Sequence, residues 1–221
     1  DKLKEVFYRQ AHLVFNNTTL QHLQIDEAPI LQDAPGVSYF AFQNEIVQAT
    51  ATGLKRISYS EAPGRVWRSR IIRHRYEPAP DENSRPGHWQ RFIENVSNAA
   101  TEPGRYAAFR SAIGYLLHNY SSPEDSQAVI CYDEEMNGTK PQGRTGKGVF
   151  LQGIAQLRNL CDVDGKNLDT SNQFAWQQVS EATQVVGINE TGDKFSFQAM
   201  FAMLADGLTV EKKFQSSVYI P

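Results

Sequence analysis

Residues 127–151 read QAVICYDEEMNGTKPQGRTGKGVFL, and this stretch decides how the rest of the chain is read. A short apolar run, Ala128–Tyr132, leads into a polar loop that closes on Gly146-Lys147-Gly148 and passes straight into residues with helical spacing. Strand, glycine loop with a lysine, then helix is the order that cradles phosphates. Glycines let backbone N–H groups converge on an anion, the helix start adds partial positive charge, and the lysine reaches the outer phosphates. The expected cradle is Gly143, Arg144, Thr145, Gly146, Lys147, Gly148 and Val149, with ATP as ligand.

Downstream, Val149–Leu157 predicts a buried helix and Phe174–Val179 a short amphipathic piece. Thr183–Ile188 is a β-run that ends in Asn189-Glu190. Phe195–Leu204 is helical in pattern, and Leu208–Pro221 alternates like a strand with Lys212-Lys213 at its centre. Strands alternating with helices after a phosphate loop imply an α/β core with a parallel sheet, over residues 123–221. Hydrolysis needs a group that holds a metal and one that orients water, at the end of a neighbouring strand. Asn189 takes the magnesium-side position, and Glu190 would polarise the water.

Upstream, Val37–Tyr59 holds β-prone runs broken at Asn44-Glu45 and Thr52-Gly53, the pattern of a small antiparallel sheet. The stretch Arg65–Arg75 packs five arginines into eleven residues. Read as a strand, it puts Arg68 and Arg70 on one face and Trp67 and Ile71 on the other. That face is either a contact for nucleic-acid backbone, with Trp67 free to stack, or a solvated sheet edge. Glu77–Gly87 reads as a linker, rich in proline. These features divide the chain into a β-rich region over 1–80, a helical connector over 81–122, and the core. Within the connector, Trp89, Phe92, Ile93 and Val96 recur at helical spacing, and Tyr106–Tyr120 predicts an amphipathic helix. His118, near its end, reads as a helix C-terminal or interface residue, since no second His or Cys sits at ligand spacing.

Composition narrows the classes. The chain has 221 residues, 40% of them hydrophobic and 21% charged, enough for a buried core. No run of about 18 apolar residues predicts a membrane span. A net charge of −3 argues against broad nucleic-acid affinity, leaving only local patches. The two cysteines, Cys131 and Cys161, lie in or beside apolar runs and are expected to be reduced core thiols of a cytoplasmic protein. No signal peptide opens the chain, and a start at Asp1 is expected of a segment cut from a longer protein.

The runs GYLLHNY, VICYDEE, GRTGKGVFLQGIAQLRN, DGKNLDTSNQFAWQQVSEATQVVGINET and FSFQAMFAMLADGLTVEKK together resemble the superfamily 3 helicases. The likeness is to the primase-associated type of phages, plasmids and large DNA viruses, and it is sharpest from Tyr115 onward. The upstream run FAFQNEIVQATATGLKRISYSEAPGRVWRSRIIRHRYE resembles what precedes that ATPase in proteins of mobile elements and phages. The resemblance implies an AAA+-like P-loop ATPase working as a ring, a homo-oligomer of six, on single-stranded or forked DNA, with a primase domain as a partner. It matches Gly143, Gly146 and Lys147 to the first nucleotide motif and Asn189 and Glu190 to the second. Leu208–Lys213 matches an additional motif associated with DNA contact, which makes Lys212 and Lys213 the DNA-facing cations; a solvated hairpin is the plainer reading of the same residues. Two positions depart from the pattern. Gly148 stands where a hydroxyl normally holds magnesium, and Asn189 stands where an acid is usual. The third motif and the arginine finger are expected beyond Pro221, and such a finger is worth roughly a thousandfold in rate. The chain is therefore expected to bind ATP better than it hydrolyses it.

Overall fold

The computed structural model describes residues 2–14, 16, 18, 28–79, 85–120, 122, 124, 126–133, 136–137, 140–141, 143, 145–192, 195–213 and 216–220. The protein is a mixed α/β chain with small sheets. Helix α1 spans Lys2–Val14. Strands β1 (Val37–Ala41), β2 (Ile46–Thr50) and β3 (Gly53–Ile57) form an antiparallel meander in the order β1-β2-β3. Its β2–β3 turn falls at Ala51-Thr52, with Thr50 paired to Gly53, one residue earlier than the sequence pattern suggests. Ile46 and Ile57 bury one face of this sheet with Ala41, while Phe42, Val47 and Ile72 form a second cluster.

Helices α2 (His88–Val96), α3 (Pro103–Leu117) and α4 (Lys147–Ala155) pack together around Ile93, Phe150 and Ile154. Helix α4 starts at Lys147, two residues ahead of the predicted Val149, and ends at Ala155. A methyl at Gly153 would overlap the Trp89 indole, so α2 and α4 meet at van der Waals contact. Gly153→Ala is expected to cost a net ~1–2 kcal/mol, because overpacking outweighs the better helix propensity of alanine. Thermal melting reads it, and an unchanged melting temperature would refute the close α2–α4 contact.

Strand β6 (Leu160–Asp164) pairs in parallel with β7 (Val185–Asn189). Strand β7 is where the sequence put it. Strand β6, LCDVD, was not anticipated, because two aspartates in five residues hide its alternation. The register explains both faces. Leu160 and Val185 join the α2–α3–α4 cluster. On the other face, Val163 and Ile188 pack with Trp176, Val179, Val210 and residues of α5 (Phe197–Asp206). The parallel pair is thus covered on both faces, as parallel strands require. Two hairpins complete the described sheets: β4 (Met136–Asn137) with β5 (Lys140–Pro141), and β8 (Leu208–Val210) with β9 (Val218–Ile220).

The expectations for Ala128–Tyr132 and for Arg65–Arg75 change. The run Ala128–Tyr132 has no sheet partner among the described residues; Ile130 and Tyr132 are 62% and 83% exposed, and Cys131 is a free, exposed thiol and not a core one. Arg65–Arg75 is not a continuous strand. It makes single bridges at Arg65 and Ile72 around a 3-10 turn over Arg68–Arg70, so Trp67 and Arg68 are exposed together while Arg70 is half-buried. In the expected linker, residues 77–79 and 85–87 carry no regular structure, and 80–84 lie outside the described residues.

One polar seam joins residues distant in sequence. The buried Arg158 guanidinium donates to Tyr39 O at 3.0 Å, Leu117 O at 2.8 Å and Asp33 Oδ2 at 2.9 Å, and lies 4.2 Å over the Phe40 ring. Asp33 also accepts the N–H groups of Tyr39 and Asn119, each at 2.8 Å.

Candidate functional site

The site begins at Gly146, whose φ of +94° places it in the left-handed region that glycine tolerates best. An added Cβ there would meet the Phe92 ring at 2.8 Å, so the loop is pressed onto α2 as it turns into α4. Lys147 is the first helical residue, and no side chain caps this N-terminus. An uncapped helix start presents free N–H groups and partial positive charge to its surroundings. Gly148 and Val149 are exposed on the first turn; Arg144 lies outside the described residues.

Asp133, absent from the sequence reading, is the centre of the loop's charge. Its side chain is 2% exposed and ion-paired with Lys147. The Thr145 hydroxyl also donates to it, and Lys147 Nζ lies 3.1 Å from Thr145 Oγ1. The Lys147 bond first, then the Thr145 hydroxyl, holds the Asp133 carboxyl below the ordinary carboxylate range. The only sequence clue is position: an acid directly after an apolar run.

Asn189 and Glu190 sit at the C-terminal end of β7. The Asn189 amide donates to Asp162 of β6, and the Gly165 N–H donates to Asn189 O at 2.6 Å. Glu190 has a left-handed backbone, φ +51°, and is ion-paired with Lys166; both side chains are well exposed. That partner raises the ionisation of the Lys166 ammonium. By register, Asp162, Asp164 and Asn189 share the sheet face that α4 covers at Leu160, Val185 and Gly187. Lys147, Thr145, Asp133, Asp162, Asn189 and Glu190 are among the many residues, from Leu31 to Ile220, that line one broad open cleft of about 2830 Å³. The carboxyl ends of parallel strands, facing a helix N-terminus, are where α/β sheets bind ligands.

The donor chemistry fits a phosphate group. For magnesium, no group of three or more His, Cys, Asp or Glu gathers among the described residues. Magnesium needs only one or two carboxylates when phosphate oxygens and water supply the rest, so Glu190, with Asn189 through water, fits an ion that arrives with the phosphates.

The DNA-facing candidates lie elsewhere. Lys212 and Lys213 fall in the connection between β8 and β9; Lys212 is half-buried, and Lys213 is exposed with its ammonium 5.9 Å from the Phe174 ring centroid. Arg68 is exposed. Arg70 is committed to the protein instead, donating to Glu181 O at 3.0 Å. His118 ends α3, its Nε2 3.2 Å from Ala34 O, the interface role its sequence position suggests. No helix is long and apolar enough to cross a membrane among the described residues. No family model, curated protein or solved structure matches this chain, so the assignment of the cleft rests on its own geometry.

Proposed function

We propose that the cleft binds ATP with magnesium, and that the chain is the ATPase core of a DNA helicase or translocase of the superfamily 3 type, serving replication of a phage or mobile element. The observation that carries the nucleotide reading is convergence: the Thr145 hydroxyl and the Lys147 ammonium already meet on one anionic group at the start of α4. Donors aimed at one point are the requirement for holding a phosphate. Lys147 would bind the outer phosphates, and the first-turn N–H groups of α4 would take a neighbouring oxygen. Glu190 would orient the attacking water. Magnesium, when bound, neutralises charge on the phosphates. The exposed cations Lys213 and Arg68 are the candidates to meet single-stranded or forked DNA, in a ring of copies of this chain in the bacterial cytoplasm.

A second reading has its own support. Asn189 is tied to Asp162 and Glu190 to Lys166, so both hydrolytic groups hold other partners. A module that binds nucleotide to control DNA binding or assembly, without turnover, would keep them so. Glu190→Gln separates the two. On the helicase reading it leaves ATP affinity within about twofold and lowers DNA-stimulated phosphate release by about a hundredfold or more, the scale of one acid–base group. Release that is absent in the wild type, with and without single-stranded DNA, would establish the second reading.

A further inference from the structure

We infer that Asp133 is a built-in stand-in for phosphate: it occupies the anion position of the loop, and an incoming nucleotide must displace it from Lys147. The inference rests on the nucleotide-site reading and goes beyond it. Two donors that a phosphate would use, the Thr145 hydroxyl and the Lys147 ammonium, converge on this one carboxylate. The carboxylate is buried, 2% exposed on its side chain, whereas the lysine is 39% exposed and so faces the cleft. The pair therefore opens from the lysine side. It is a short-range contact within the loop region, between residues 14 apart in sequence, and the fold need not change for the ammonium to swing to a new partner.

The consequence falls on charge. A polyphosphate placed on α4 meets a buried negative charge that both repels it and holds its principal cation. The cost of freeing Lys147 is the same for every phosphate ligand, whereas the repulsion grows with ligand charge, so Asp133 weakens triphosphates more than singly phosphorylated ligands. Without the carboxylate, Lys147 and Thr145 are free to turn to the ligand.

Asp133→Asn is expected to tighten ATP binding about tenfold, the scale of one charge-assisted hydrogen bond. The same substitution is expected to widen the gap between ATP and AMP, because the repulsion it removes grows with ligand charge. Asp133→Glu, which keeps the charge, is expected to stay near the wild type. Titration with ATP and with AMP reads all three; unchanged or weaker ATP binding by folded Asp133→Asn overturns the inference. Amine acylation of the unsubstituted, nucleotide-free protein supplies a second reading should the variant not fold. Lys147 is expected to label several-fold more slowly than exposed Lys55, and equal labelling overturns the inference. A separate titration keeps the two ideas apart. If Lys147→Ala leaves ATP affinity unchanged, the nucleotide site itself fails; if it abolishes binding while Asp133→Asn does not tighten it, only the stand-in fails.

Discussion

Lys147→Ala is expected to abolish measurable ATP binding. The lysine is the one side-chain cation described at the start of α4, and it is placed where the helix N-terminus already attracts negative charge. Each charge-assisted hydrogen bond from its ammonium to a phosphate oxygen is worth about 1.5–3 kcal/mol. Two such bonds correspond to a loss of roughly a hundredfold or more in affinity. The substitution also leaves Asp133 buried with only neutral donors, so the nucleotide-free protein is expected to melt lower as well. Combining it with Asp133→Asn is expected to restore the melting temperature without restoring ATP binding. Calorimetric titration and thermal melting of the two proteins give both quantities, and ATP affinity retained in Lys147→Ala would remove the phosphate-loop assignment.

Arg158→Met is expected to cost about 3–5 kcal/mol of stability, the range for breaking one side of a buried ion pair. Both partners have side chains only 4% exposed. Burial, the first influence on it, depresses the ionisation of the Arg158 guanidinium, and the Asp33 carboxylate opposes that. Methionine fills much of the volume but takes the guanidinium from Tyr39 O and Leu117 O and leaves the buried Asp33 charge with only the Tyr39 and Asn119 N–H groups. Lysine is a poor replacement too, because its ammonium cannot reproduce a planar fork that serves three acceptors and lies flat on Phe40. Urea unfolding of Arg158→Met, Asp33→Asn and the double variant measures the coupling between the two positions. A loss under about 1 kcal/mol for Arg158→Met would mean the seam contributes little to holding the meander against α3 and α4.

Several elements were readable from local pattern. Alternating and β-prone runs located β1, β2, β3 and β7, helical spacing located α2 to α5, and the GRTGKG loop located the start of α4 to within two residues. These succeed because a period of 2 or 3.6 is imposed by neighbours a few residues away. The arginine-rich run failed as a strand for the opposite reason. Its conformation is set by two distant bridges, Ile30 to Arg65 and Phe42 to Ile72, with a 3-10 turn between them. Arg70 was read as a cation for DNA, yet a carbonyl 111 residues away claims it.

By itself, then, the amino-acid order determined the mixed α/β character, the glycine loop that leads into Lys147, and the strand that delivers Asn189 and Glu190 to its end. Partnerships were decided only by the tertiary structure. Lys147 meets Asp133 across 14 residues, Asn189 meets Asp162 across 27, and Arg158 meets Asp33 across 125. Propensity and periodicity act over a turn or two of chain, whereas a buried charge takes whichever opposite charge the packed fold sets beside it, however far away in sequence that residue lies.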